Sequence, residues 1–152
     1  NWDLCRENAD ILEFYRRAIA LRKRFSVVRG RHFFRGPHAQ GTSVPDILWF
    51  NENLKPPDWT NPESKTLCCQ IAGADDGAGM GFYLLFFILH AGTAPLTVRL
   101  PVKEGMPWHR IVDTSLPAGE DFLDPPGALL PLQERYTAAP RSFVVLLGIQ
   151  GP

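Results

Sequence analysis

The sequence is poor in the features that identify several common classes of protein. Its three cysteines, Cys5, Cys68 and Cys69, form no CxxC pair, and the two adjacent ones are poorly placed to pair with each other. A disulfide framework is therefore not predicted, and the pattern favours a reducing compartment, here the cytoplasm. The longest apolar run, residues 82–89, has eight residues, whereas a bilayer-spanning helix needs about 20. Since no signal peptide is visible either, we expect a soluble protein with no membrane partner.

Catalytic and metal-binding motifs are also absent. No GxSxG, HExxH or CxxC pattern occurs. The four histidines lack partners at metal-ligand spacing and are expected to be ordinary surface or hydrogen-bonded residues: His32, His38, His90 and His109. The glycine-rich stretch 73–81 lacks the P-loop lysine and the alternating aspartates of an EF-hand, so it is predicted to be a mobile hairpin connection. The sequence thus predicts no catalytic residue, no metal ligand and no cofactor.

Charge is balanced overall but unevenly distributed. The chain has 16 Lys and Arg against 16 Asp and Glu. Half of the basic residues lie between positions 16 and 35, where no acidic residue occurs. Four of them fall on the polar face of the helix described next, where solvation alone explains them: Arg16, Arg17, Lys23 and Arg24. An anionic partner is the alternative, but nucleic acid is not expected because a binder of nucleic acid is more often basic overall.

Residues 10–25 form the one strongly amphipathic helix that the sequence predicts, with Asn8 as the best N-cap candidate. At 100° per residue its apolar side chains fill an arc of roughly 180°, wider than the stripe of about 100° that is usual for a surface helix. They are Ile11, Leu12, Phe14, Tyr15, Ala18, Ile19, Leu21 and Phe25. Such a helix is expected to lie embedded between neighbours. Arg22 projects near the centre of the arc, so we expect it to meet a carboxylate or backbone carbonyls, in this chain or in a missing part of a parent protein.

Almost everything after the helix has the pattern of β-strand. Residues 27–34 are β-branched and aromatic, and strands are predicted at 46–50, 66–72, 82–90, 96–101, 108–113, 129–132 and 142–147, separated by Gly and Pro turn signals. Short strands without intervening helices indicate an antiparallel sandwich or barrel. Residues 82–89 are expected to form a central strand buried on both faces, whereas the alternation after position 96 predicts a strand with one solvated face.

The four tryptophans allow two interpretations. Their indole rings are able to stack on the C–H faces of sugars, but packing in the core or at an interface is the commoner role. Trp49 lies within an apolar strand and is predicted to be buried. Trp59 follows Pro56-Pro57-Asp58 and is the one most expected on a loop.

The chain also carries an ordered series of short motifs: Asn1-Trp2-Asp3, Asn8, Ala20-Leu21-Arg22-Lys23, Phe33-Phe34-Arg35-Gly36, Asp46-Ile47-Leu48-Trp49, Asp58-Trp59, Leu100-Pro101, Trp108, Asp113-Thr114 and Pro140-Arg141-Ser142-Phe143-Val144-Val145-Leu146. This series resembles the C-terminal end of isoamylase-type glycogen debranching enzymes, which are glycoside hydrolases of the α-amylase superfamily. His90 stands where that pattern has Asn, and the 73–81 loop is richer in glycine than usual. The subfamily is therefore left open. The chain could resemble a bacterial debranching enzyme, which implies a cytoplasmic location, or a plastid isoamylase, which implies a plastid location.

The resemblance implies a mainly β fold, an antiparallel β-sandwich preceded by one helix from the end of a (β/α)₈ barrel. Residues 1–26 would be the closing helix of a missing catalytic barrel and residues 27–152 the C-terminal sandwich domain. The parent would hydrolyse α-1,6 branch linkages with two Asp and one Glu, all upstream of position 1. No residue of this chain then inherits a catalytic role, and the chain alone is expected to be inactive.

The expected task of the chain is to cap and stabilise the barrel, which would be its partner. An α-glucan-binding module and an interaction module using the basic helix are the alternatives. Cut from its barrel, the helix is expected to fold back on the sandwich or to pair with a second copy.

Overall fold

The computed structural model describes residues 2–30, 33–36, 44–74 and 81–150. A short helix α1 (Leu4–Glu7) precedes the main helix α2 (Ala9–Arg24), which leads into a 3₁₀ turn (Ser26–Arg29). Eight strands follow within the described residues: β1 (Ile47–Phe50), β2 (Thr66–Ala74), β3 (Phe82–His90), β4 (Leu96–Arg99), β5 (Trp108–Asp113), β6 (Ala128–Leu129), β7 (Arg135–Ala138) and β8 (Ser142–Ile149). None of the helices in these ranges has the length and apolar character needed to span a membrane.

The strands form two antiparallel sheets that face each other, which confirms the predicted sandwich. The larger sheet has the order β1-β2-β3-β8-β5-β6, and β4 pairs with β7 in the smaller one. β3 lies between β2 and β8, as its continuous apolar sequence predicted. Because successive side chains point to opposite faces, Phe86 and Ile88 enter one core while Tyr83 and Leu85 enter the other. β4 has the predicted solvated face, since Val98 is buried between exposed Thr97 and Arg99.

Two hydrophobic cores lie on opposite faces of the six-stranded sheet. The first is enclosed by the β4–β7 sheet and is built around Phe86 and Trp108. The second lies under α2 and the 3₁₀ turn and is built around Phe25, Leu85 and Leu147. The molecule is therefore a three-layer structure, in which α2 covers part of the outer face of the sandwich.

The helical region differs from the prediction in detail. α2 begins at Ala9 and ends at Arg24, and a separate turn of helix precedes it. Asn8 does occupy the N-cap position, but its side chain makes no capping bond. Its amide Nδ2 instead donates to the Leu4 carbonyl at 3.0 Å, closing the C-terminus of α1. Residues 26–29 form a 3₁₀ turn, so the strand-like composition after the helix was misleading at that point.

The strand predictions hold for most of the sandwich, with changes at element ends. β7 was not predicted, and the strand expected at 129–132 is reduced to Ala128–Leu129. Gly73 and Ala74, assigned to the hairpin connection, extend β2 and pair with Tyr83 and Phe82. Residues 75–80, like His32 and His38, lie outside the described residues.

Candidate functional site

The wide apolar arc of α2 divides into two stripes, of which one is packed. The inward stripe, at spacing i, i+4, i+7 and i+11, lies on the second core and consists of Phe14, Ala18, Leu21 and Phe25. Phe25, directly after the helix, is fully buried with its ring centroid 5.1 Å from that of Tyr83. Phe14 meets Phe122 edge-on at 5.7 Å. The helix thus folds back on the sandwich, which was one of the two arrangements expected for it, the other being pairing with a second copy.

The outward stripe is the other half of the arc and faces solvent. It consists of Ile11, Leu12, Tyr15 and Ile19, whose exposed fractions run from 38% to 63%. Single exposed apolar residues are ordinary on a protein surface, but a contiguous apolar patch on one helix face is typical of an interaction site. The prediction that the whole arc would be embedded is therefore met on one side only.

Arg17 fixes the orientation of α2 on the sheet. Its guanidinium Nη1 donates to the Phe122 carbonyl oxygen at 2.6 Å, and its Nε contacts Glu13 Oε1 at 3.0 Å. The prediction of a merely solvated Arg17 was wrong, because the side chain reaches across the helix–sheet boundary. Glu13 also lies 3.8 Å from Arg16, so ion pairing within the helix accounts for both arginines without an anionic ligand.

Arg22 belongs to the outward side of the helix, three residues beyond Ile19. It is exposed, and within the described ranges no hydrogen bond or ion pair of its guanidinium occurs. An exposed guanidinium remains hydrated and needs no partner. The expectation of a partner for Arg22 therefore stays a prediction about a further protein surface.

An exposed pair of tryptophans marks the far edge of the six-stranded sheet. Trp49 is 40% exposed, so the prediction that it is buried was wrong. The physical reason is that β1 is an edge strand, on which Phe50 turns toward the first core and Trp49 to the opposite face. Trp59, 68% exposed on a loop as predicted, packs edge-on against it with centroids 5.9 Å apart and ring planes at 75°.

The turn that carries Trp59 is organised by Asp58. The Asp58 Oδ1 oxygen accepts hydrogen bonds from the hydroxyl of Thr60 at 2.7 Å and from its backbone N–H at 3.0 Å. These bonds from Thr60 hold the pKa of Asp58 below its ordinary value. The two hydrogen bonds close the turn from Asp58 to Thr60, which carries the indole.

A polar cleft of ≈ 500 Å³ adjoins this turn. Most of its lining side chains are polar, among them Asn51, Glu52, Asp58, Asn61, Glu63 and Lys65. His90 also lines it and is hydrogen-bonded on both ring nitrogens, to Thr66 Oγ1 and to the Ala94 carbonyl, each at 2.8 Å. Since a carbonyl only accepts, Nε2 carries a proton and donates to Ala94, and both ring nitrogens of His90 are thereby satisfied. His90 is the satisfied histidine that was predicted.

Other buried polar groups in the sandwich are also engaged internally. The carboxylate of buried Asp113 accepts from Ser115 N–H at 2.9 Å, from the Ser115 hydroxyl at 2.6 Å and from the Tyr136 hydroxyl at 2.5 Å. Burial, together with the bond to Asp113, raises the pKa of Tyr136. Burial likewise raises the pKa of Cys68 to about 12 and that of Cys69 to about 11, so neither is a reactive thiolate at neutral pH.

No arrangement typical of a catalytic or metal centre occurs in the part of the chain that the structure describes. Among those residues no three His, Cys, Asp or Glu side chains converge as metal ligands. The features that stand out are surfaces: the outward stripe of α2, and the tryptophan pair beside its polar cleft. The sequence identified all eight residues of the two stripes but not their division into two sets. The spacing of Phe14, Ala18, Leu21 and Phe25 was a readable signal for that division.

Comparison with known proteins assigns a relationship to the sandwich. The family described as isoamylase 1-3, C-terminal, matches residues 48–146, well over half of the chain. This chain is 48% identical over 50 residues to three proteins named glycogen operon protein GlgX homolog. One is from Mycobacterium bovis and the other two are from two strains of Mycobacterium tuberculosis. This alignment covers 32% of the chain but 7% of each relative. The chain thus corresponds to a small part of the length of the curated relatives it matches.

Proposed function

The chain belongs to the isoamylase 1–3 C-terminal domain family, and on this basis we propose that it is the non-catalytic domain that stabilises the catalytic barrel of a glycogen-debranching enzyme. The family match supports the C-terminal assignment, and the similarity to GlgX homologs supports a place in glycogen metabolism. Residues 1–26 would then contribute to the barrel and residues 27–152 form the sandwich. The similarity to a bacterial protein favours a cytoplasmic location for this protein over a location in a plastid.

The observation that carries the proposal is the division of the apolar arc of α2 into a packed stripe and an exposed stripe. The inward stripe is already buried on the sandwich, and the outward stripe offers a second apolar surface on the same helix. Because the four side chains are already about half buried, completing their burial would contribute about 0.8–1.5 kcal/mol each, or about 3–6 kcal/mol in all. The upper end of that gain reaches the lower end of the net stability of a whole domain, about 5–15 kcal/mol. Arg22, beside the stripe, would receive its carboxylate or carbonyl partner from the same barrel surface.

The chemistry of the proposed parent lies outside this chain. Hydrolysis of an α-1,6 linkage with retention needs a carboxylate nucleophile and a carboxylic acid about 5–5.5 Å apart at the scissile bond. In a (β/α)₈ barrel such groups stand at the C-terminal ends of the strands, and the fold described above has no such barrel. We therefore expect this chain alone to hydrolyse neither pullulan nor glycogen.

The test is to produce the upstream catalytic part as a separate chain and to measure its association with the 152-residue chain. Ile19→Glu and Tyr15→Glu should weaken association at least tenfold, because each places a charge in the apolar contact. Arg16→Glu on the polar face of α2 is the matched control and should have little effect. Equal affinity for the wild type and both stripe variants, or pullulan hydrolysis by the 152-residue chain alone, would disprove the proposal.

Two further roles rest on specific observations. In the separated chain the outward stripe is exposed, so we propose that it drives weak self-association. Sedimentation velocity should then show dimers that Tyr15→Glu abolishes, and a monomer at all accessible concentrations would argue against it. The second role is binding of α-glucan by the sandwich, favoured by the exposure of Trp59.

A further inference from the structure

The tryptophan pair has the properties of a ligand platform. Trp59 leaves two thirds of its surface in solvent, although indole is among the costliest side chains to leave hydrated. It is nevertheless held in place, because Trp49 supports one side of the ring and the Asp58–Thr60 hydrogen bonds fix the turn beneath it. An aromatic ring that is both exposed and fixed loses little conformational entropy when a ligand stacks on it.

The neighbouring cleft supplies the polar half of such a site. Its volume of ≈ 500 Å³ is within the range of small-molecule sites, about 300–1,000 Å³. Those sites are mostly apolar, whereas this lining is dominated by carboxylates, amides and hydroxyls. Asp58 and Asn61, on either side of Trp59 in sequence, both belong to it. The amide Oδ1 of Asn61 accepts a hydrogen bond from the Glu63 N–H at 3.0 Å, and its NH₂ group makes no hydrogen bond to another described residue.

We propose that the Trp59 loop and this cleft bind an α-1,4-glucan chain, the linear portion of the branched substrate. The glucan identity of the ligand rests on the proposed function. The indole of Trp59 stacks on the C–H face of one glucose unit. The amide of Asn61 and the carboxylate of Glu63 exchange hydrogen bonds with the hydroxyls at the ring edge. A sugar suits this surface because its apolar C–H face matches the indole of Trp59 and its polar rim of hydroxyls matches the polar side chains of the cleft.

The ring geometry selects among glucans. The planes of Trp49 and Trp59 meet at 75°, so the pair does not form a flat strip. Extended β-1,4 chains are flat ribbons and need coplanar rings, whereas α-1,4 chains curve from one unit to the next. Maltooligosaccharides are therefore expected to bind, and cellooligosaccharides of the same length are not.

The experiment is a titration of the 152-residue chain with maltoheptaose, followed by the indole N–H resonances of its four tryptophans. Saturable shifts should be confined to Trp59 and Trp49, because Trp108 is buried in the first core and Trp2, which precedes α1, is not part of the Trp49–Trp59 pair. Trp59→Ala should raise the dissociation constant at least tenfold, while the control Trp2→Ala, which removes a still more exposed indole, leaves it unchanged. Cellohexaose at the same concentrations should move none of the four resonances.

Several results would overturn the proposal. They are the absence of saturable shifts up to 20 mM maltoheptaose, unchanged affinity in Trp59→Ala, and equal binding of cellohexaose. The resonance measurement uses the wild-type chain, so it stands even where a variant fails to fold. Barrel association lost in Trp59→Ala would place the ring in the domain contact and would also refute the glucan site. Docking to the barrel is tested by substitution of Tyr15 and Ile19, whereas glucan binding is tested at Trp59. Either proposal can therefore fail without the other.

Discussion

Truncation of Phe25 should separate the two sides of α2 by their energetics. Phe25 is fully buried against Tyr83 in the core under the helix. Removing a buried phenylalanine ring costs about 3–5 kcal/mol, through lost transfer free energy and the cavity that remains. Since a domain of this kind has a net stability of about 5–15 kcal/mol, Phe25→Ala should remove a large part of it.

Ile19→Ala is the matched control, since it removes an apolar side chain from the same helix but from the outward stripe. About half of Ile19 is already hydrated, and Ala is the better helix former. The expected change in the free energy of unfolding is therefore within about 0.5 kcal/mol. The contrast between the two variants, and not either value alone, measures the division of the helix into two stripes.

Urea unfolding, followed by tryptophan fluorescence and far-ultraviolet circular dichroism, gives both numbers. With an m-value of about 2 kcal/mol/M, a loss of 4 kcal/mol lowers the midpoint by about 2 M. Ile19→Ala should leave the midpoint within about 0.3 M of the wild type. Comparable losses of stability in the two variants would refute the division of α2 into a packed and an exposed stripe, as would a loss below about 1 kcal/mol for Phe25→Ala.

Three further predictions concern stability of the same chain in urea. Arg17→Met should lower the free energy of unfolding by about 1 kcal/mol, because it removes the charged hydrogen bond to the Phe122 carbonyl. Arg16→Met, which removes only an exposed ion pair with Glu13, should change it very little. Equal effects of the two substitutions would contradict the role of Arg17 in anchoring α2. Gly127→Ala should be more destabilising than Gly119→Ala by about 1–3 kcal/mol. Both glycines have positive φ, but only at Gly127 would the new Cβ lie 2.3 Å from a backbone carbonyl oxygen. Finally, burial raises the pKa of Cys68 from 9.0 to about 12, so the folded chain keeps a proton that the unfolded chain loses. Stability should therefore fall as pH rises from 9 towards 12, and the fall should be smaller in Cys68→Ala.

The sequence predicted the sandwich well because its signals were local and redundant. The apolar run 82–89 identified the central strand β3 without knowledge of its neighbours, since only a strand covered on both faces carries such a sequence. Turn residues then separated most of the other strands. β7 was missed because its four residues, Arg135–Ala138, include only one large apolar side chain, and its pairing with β4 is a long-range contact.

The surfaces were harder to predict, because exposure depends on strand order and not on strand sequence. Trp49 lies in the apolar segment Ile47–Phe50, and the same four residues would be buried in a central strand. β1 is at the edge of the sheet, which no local pattern indicates. The contact of Arg17 with the Phe122 carbonyl joins residues 105 apart and was equally invisible. Trp59 was placed correctly because its flanking prolines and Asp58 are local signals of a loop.

The packing of α2 also bears on how the proposed domains would depend on each other. A helix buried on the sandwich by one stripe and on the barrel by the other belongs to the core of both, so removing either partner exposes an apolar surface on it. Loss of the sandwich would leave Phe14, Leu21 and Phe25 hydrated, and the barrel would then carry a poorly fixed closing helix. In the proposed parent the sandwich would support catalysis mechanically, by holding in place a helix that the barrel needs to close, and this role is independent of any glucan bound at the Trp59 loop.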